Sequence, residues 1–169
     1  MSKKTFILCL LYLSAIVLAN LVIGHYGPKP FVIFITSSSL IGLDLTSRDT
    51  LHDAWHNKHL KLKMLILILL GSLISYLLNQ NVKQIAIASS MAFIMAATVD
   101  TLIYMFLYQR TKFVKSNYSN IVSAAVDSYM FPLLAFGTPI LWSIVLIQFA
   151  SKVIGGYVWS VILQRTLWK

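Results

Sequence analysis

The chain contains no glutamate; its acidic residues are five aspartates, Asp44, Asp49, Asp53, Asp100 and Asp127. It has one cysteine, Cys9, set in an apolar run, which excludes an intramolecular disulfide. Charged residues make up 11% of 169 residues, against about 25% in ordinary soluble domains. No GxSxG elbow, CxxC pair or phosphate-binding glycine loop occurs, so the familiar hydrolase, thiol-redox and nucleotide-hydrolysing signatures are missing. The net charge of +9 is spread over separate loops with no interleaved aromatic platform, which argues against a nucleic-acid reader.

What is present is apolar: 58% hydrophobic residues and a mean hydropathy of +0.77. Six apolar segments organise the chain, at 5–23, 31–47, 62–78, 85–108, 120–136 and 139–163. A bilayer needs ~20 residues per helical span, with a range of ~17–25. The expectation is an all-α polytopic membrane protein, one domain of six transmembrane helices over residues 1–169. Segments two and five are short and interrupted by aspartate. Segment three is completed by Lys61 and Lys63, whose stems can lie along the helix while their heads reach the headgroups. The joints are turn-like: "GHYGPKP" at 24–30, "NQNVK" at 79–83 and "FGTP" at 136–139.

Charge placement orients the bundle. With the N-terminus cytoplasmic, eleven Lys and Arg face inward, Arg48 among them. Only Lys29 and Lys83 face outward, and Lys152 falls inside a span. By the positive-inside rule, both termini are expected to be cytoplasmic; the expected location is a bacterial-type plasma (inner) membrane. The basic, then apolar start "SKKTFILCLLYLSAIVLA" also has the form of a cleavable signal. It is read as a span because the charge parity needs it. Trp55, Trp159 and Trp168 are expected in interfacial belts.

An aspartate at mid-bilayer costs about 2.5–3.5 kcal/mol and ordinarily faces a bundle interior or a watery cavity. Helical spacing lets such groups converge. Asn120, Ser123 and Asp127 share a face of segment five, and Gln148 and Lys152 share one of segment six. Asp100 and Tyr104 share a face of segment four, while Asp44 and Arg48 stand near the end of segment two. Asn20 closes segment one. A carboxylate accepts two parallel hydrogen bonds, matching the adjacent N–H donors of a guanine-like edge; a cationic amine suits it equally. Gln148, Asn20 or Asn120 can read a carbonyl, and Phe93, Tyr104 or Trp142 can stack on a flat ring. The expected substrate-binding set is therefore Asn20, Asp100, Tyr104, Asn120, Asp127, Gln148 and Lys152, with Asp44 and Arg48 for gating or coupling. Lys152 is read as the one cation within the spans.

The stretch "GLDLTSRDTLHDAWHNKH" at 42–59 holds three aspartates and three histidines. His52 and His56, with Asp49 and Asp53, have metal-compatible spacing on a helix. The favoured reading is a cytosolic connector over 48–59, laced by local ion pairs such as Asp44–Arg48 and capped by Ser47. No metal, no cofactor and no enzymatic activity is expected.

Two motifs then carry a resemblance. "ASSMAFIMAATVDTLIYMFL" (88–107) and "SNIVSAAVDSYMFPLLAFG" (119–137) resemble the vitamin-uptake-transporter-like family of queuosine precursor transporters. "LANLVIGHYG" and "GLDLTSRDTLHDAW" resemble its first helix and its second-segment exit. The resemblance implies a six-helix fold similar to the substrate-binding subunits of energy-coupling-factor transporters. It also implies import of a purine-like solute of the 7-cyano-7-deazaguanine type. Two alternatives stand beside it: a vitamin-binding subunit of an ATP-driven uptake system, and a non-transporting membrane scaffold. The expected partners are this small molecule and the lipid bilayer, with no nucleic acid; the sequence leaves a homo-oligomer open.

Overall fold

A computed structural model describes residues 3–55, 59–78, 80–107 and 109–166. Every regular element among them is helical. The elements are α1 (Lys3–Tyr26), α2 (Pro30–Thr36), a π turn (Ser37–Ile41), α3 (Gly42–Trp55), α4 (Leu60–Leu78), a short 3-10 turn (Gln80–Val82), α5 (Lys83–Phe106), α6 (Lys112–Phe136) and α7 (Trp142–Thr166). Since α2, the π turn and α3 are continuous, these make six helical rods. The chain is an all-α polytopic membrane protein.

Local chemistry sets the ends. Gly27 takes φ +72°, which side chains disfavour. Its N–H bonds the Ile23 carbonyl at 2.9 Å and stops α1. Pro30 opens α2 at the first helical position, where its missing N–H costs nothing. The Thr111 side chain caps α6 by accepting from the Val114 N–H. Gly137, at φ +76°, closes the same helix.

The bundle is apolar outside and polar within. Phe31, Leu77, Leu102, Phe106 and Leu146 are largely exposed, whereas Asp44, Asp49, Asp100, Arg48 and Lys152 are buried. In water this would be inverted; in lipid it is the arrangement that burial costs demand. Four helical stretches, Lys4–Tyr26, Pro30–His52, Lys83–Phe106 and Trp142–Leu163, are long and apolar enough to cross a membrane. The apolar part of α4, Leu62–Leu78, is shorter. The 25 residues of α6 are long enough, but its inward stripe of Ser, Asn and Asp makes it the more polar rod.

The second rod departs from expectation. The sequence reading ended it at residue 47 and made 48–59 a solvated connector. Instead α3 runs on through Trp55, with Arg48, Asp49, Thr50 and His52 all buried. Ser47 is buried in mid-helix, so it is no cap. The physical reason is that α3 is flanked by α1, α6 and α7. Leu45, Leu51 and Trp55 pack with Leu8, Tyr12, Met64 and Ile68. A helix covered this way shows no outward polar stripe to read. Asp53's side chain, His56 and Trp168 lie outside the described residues. Trp55 is buried beneath Lys63, whose ammonium stands 5.3 Å from its ring, and is no lipid-facing belt residue. Trp159 instead donates its indole N–H to the Ser39 carbonyl at 2.9 Å, within the π turn.

That π turn sits where α7 comes closest. A Cβ added at Gly155 would lie 2.1 Å from the Ser38 carbonyl oxygen, and one at Gly42 would lie 2.7 Å from the Gly155 backbone. Glycine therefore lets the two backbones touch, as small residues do between membrane helices. At Gly156 an added Cβ would meet nothing within 4 Å. Gly155→Ala should lower stability in detergent by about 1–3 kcal/mol, the usual cost of overpacking, with Gly156→Ala close to neutral. Thermal unfolding of the purified pair checks this; equal midpoints would refute the close contact.

Candidate functional site

Polar side chains from five rods meet inside the bundle. On α6, Ser116, Asn120, Ser123 and Asp127 lie three or four residues apart on one face, and all are buried. On α7, Gln148 and Lys152 stand one turn apart, and the Lys152 ammonium donates to Gln148 Oε1 at 3.3 Å. It also donates to Asp127 Oδ2 at 2.6 Å, forming a buried ion pair between α6 and α7. A second pair joins α3 to α5, with Arg48 Nη2 3.1 Å from Asp100 Oδ1. Arg48 also donates to Ser123 Oγ on α6 at 3.2 Å.

Lys152 is therefore not the one cation of the interior. Arg48, assigned by sequence to the cytosolic side and to Asp44, is buried and turned to Asp100. Its neighbour Asp49, read from sequence as part of a surface network, is also interior. Asp49 Oδ2 accepts from the Ser116 hydroxyl and from Asn120 Nδ2, the latter at 3.0 Å. Asn120 thus serves Asp49 and not the space beside Asp127. Among the described residues, Asp44 has no hydrogen-bond partner on either carboxylate oxygen, although it is wholly buried.

A small internal cavity of about 30 Å³ lies beside the Asp127–Lys152 pair. It is lined by Asn20, Ser37, Ser89, Asp127, Gln148 and Lys152, together with Phe93, Phe131 and smaller groups. Asp127 Oδ1 has no hydrogen-bond partner among the described residues. Asn20, on the wall, donates to Ser75 Oγ of α4 at 3.1 Å. Of the residues named from sequence, Asn20, Phe93, Asp127, Gln148 and Lys152 line this cavity. Asp100, Tyr104 and Asn120 do not, nor do Asp44 and Arg48. The Tyr104 ring packs edge-on against His52, centroids 6.1 Å apart, and lies under the Lys115 ammonium at 4.4 Å. Trp142 is largely exposed and stacks near Tyr129, away from the cavity. Sequence reasoning missed Asp49, Ser116, Ser75 and Phe131. Ser116 continues the 120–123–127 stripe backward by one turn, which the spacing alone could have shown.

Both breaks in helical regularity adjoin this cavity. Ser37 and Ile41 bound the π turn and line the wall. Phe131 precedes Pro132, which lies inside α6 and has no N–H to return to the previous turn. Discontinuous helices at a polar midplane site are the pattern of solute carriers.

The comparison with known families agrees. Residues 78–165, just over half of the 169, match the family described as "Putative vitamin uptake transporter". The chain belongs to this family. The match spans α5, α6 and α7, hence Asp100, Asp127, Gln148 and Lys152. No curated protein and no solved structure matches the chain. Membership assigns the bundle to membrane transport of a small molecule and turns the cavity from a packing defect into a candidate passage.

The α3–α5 pair has a measurable consequence. Arg48→Leu leaves Asp100 buried without its cation and should cost about 3–5 kcal/mol, whereas Arg48→Leu combined with Asp100→Leu should recover most of that loss. Unfolding of both variants in detergent tests this. A double variant no more stable than the single one would mean that the pair is not the unit of stability.

Proposed function

We propose that the protein imports a purine-like queuosine precursor of the 7-cyano-7-deazaguanine type across a bacterial-type inner membrane. One observation carries the reading: Asp127, one of whose carboxylate oxygens has no hydrogen-bond partner among the described residues, lines a cavity together with Gln148, Asn20 and two phenylalanines. The ring N–H and exocyclic amine of a guanine-like edge would donate to Asp127, and Gln148 or Asn20 would donate to its carbonyl. Phe93 or Phe131 would cover the ring face. The resemblance of the α5 and α6 motifs to queuosine precursor transporters supports the same ligand class.

A cavity of about 30 Å³ holds roughly two waters. A bicyclic base therefore enters only when the rods part. The π turn and Pro132 supply the bending points, one on each side of the cavity. Lys152 holds the Asp127 carboxylate in place when the passage is closed, and a ligand donor can join it at the other oxygen.

Cells unable to make or import the precursor, given it in the medium, should regain queuosine in their tRNA when they carry this protein. Asp127→Asn removes a charge-assisted acceptor worth about 1.5–3 kcal/mol, so uptake at limiting precursor should fall roughly tenfold or more. No restoration, or full restoration by Asp127→Asn, would end this assignment. The family description equally suits a vitamin-binding subunit of an ATP-driven system; restoration in cells without any such ATPase module would exclude that reading.

Orientation follows from the loops. With Arg48 moved to the interior, ten Lys and Arg remain on the N-terminal side against Lys29 and Lys83 on the other. Reporter fusions at both ends should both read as cytoplasmic. A periplasmic signal at either end would invert or break the proposed topology.

A further inference from the structure

Four carboxylates, Asp44, Asp49, Asp100 and Asp127, share the interior with the basic side chains of Arg48 and Lys152. All six side chains are nearly inaccessible. Fully ionised, the cluster would carry two negative charges without a cation, and in a low-dielectric bundle each of these needs hydrogen-bond donors of its own or a proton. Three of the acids have donors or cations: Lys152 for Asp127, Arg48 for Asp100, Ser116 and Asn120 for Asp49. Among the described residues, Asp44 has neither a hydrogen-bond donor nor an ion pair on either oxygen.

Asp44 feels the charges of both pairs, Arg48 with Asp100 and Lys152 with Asp127, and it acts on Tyr12 of α1. Asp49 lies five residues along α3, about 7–8 Å further. The acidic groups thus run along α3, from Asp44 past Arg48, which pairs with Asp100, to Asp49 with Ser116 and Asn120.

We propose that Asp44 is a proton-binding site that couples solute movement to a proton gradient. This rests on the transport reading above. In the cycle, a proton from the outer solvent adds to one Asp44 oxygen, forming an O–H bond and removing one negative charge. On the inner side that O–H bond breaks, the proton leaves to water and the carboxylate returns. No bond of the solute changes, and a neutral solute moves with one positive charge. A metal cation suits the place poorly. It would need several oxygen ligands, and Arg48 stands one turn along α3 from Asp44. Among the described residues, moreover, no group of three His, Cys or acidic side chains could hold one.

The test has one arm that needs no solute. Wild-type protein in liposomes at neutral pH should show the infrared carbonyl stretch of a protonated carboxylic acid, shifted in heavy water. Asp44→Asn should lose that band and Asp44→Glu should keep one. A wild type without the band, or an Asp44→Asn variant that retains it in full, overturns the proposal. The second arm uses labelled 7-cyano-7-deazaguanine. Wild type should concentrate it under an alkaline interior. Asp44→Asn should still exchange labelled for unlabelled probe, which shows it is folded, but should lose accumulation. Accumulation that survives in Asp44→Asn, or that follows a sodium gradient instead, also overturns it. A wild type with the Asp44 band but no exchange of the probe upholds the proton site and counts against the purine reading alone.

Discussion

A charge in lipid needs a partner inside the protein, and here two ion pairs meet that need. Lys152 reaches Asp127 at 2.6 Å, and Arg48 reaches Asp100 at 3.1 Å. The first ties α7 to α6 and the second ties α3 to α5, so four of the six rods are registered by two contacts. Neither pair is worth much as net stabilisation, because desolvation offsets attraction. Their effect lies in what they forbid: any slide of one rod against its partner would strand a charge in hydrocarbon. The glycine contact between the π turn and α7 serves the same end, bringing α3 and α7 close enough to share one interior.

Around these pairs the polar residues divide by reach. Short hydroxyls satisfy themselves on their own helices: Thr46, Thr50, Ser75, Ser90 and Ser151 each donate to a carbonyl four residues back. Such bonds need no neighbour and explain how a bundle with so many buried hydroxyls remains insertable. The longer amides and acids cross between rods. Those still left with free atoms, Asp44, Asp100 and Asp127 among them, have capacity to receive a further donor. In the cycle proposed above, binding and coupling are two tasks of one buried interior, with the solute beside Asp127 and the proton at Asp44.

Much of the architecture was legible in the sequence because lipid imposes a strong, local rule. Long apolar runs broken by Gly/Pro turns became rods, and the inward stripe 120–123–127 became a buried face, since helical period alone assigns residues to a side. The paired motifs around Asp100 and Asp127 pointed to the family that the profile match shows. The second rod resisted reading. "DLTSRDTLH" has the polarity of a loop, and only its enclosure by α1, α6 and α7 makes it interior. A residue's own polarity predicts exposure only when it has no neighbour able to satisfy it.

By itself the sequence determined the membrane class, the helical rods, the turns between them and the set of costly polar letters, because each depends on the chain's local chemistry against lipid. Which acid met which cation was decided by tertiary structure. Arg48 sits one turn from Asp44 and was read as its partner, yet the packing of α3 on its neighbours turns it to Asp100, 52 positions away in the sequence. That choice leaves Asp44 bare, and no spacing rule along one chain shows a group whose importance lies in the partner it lacks.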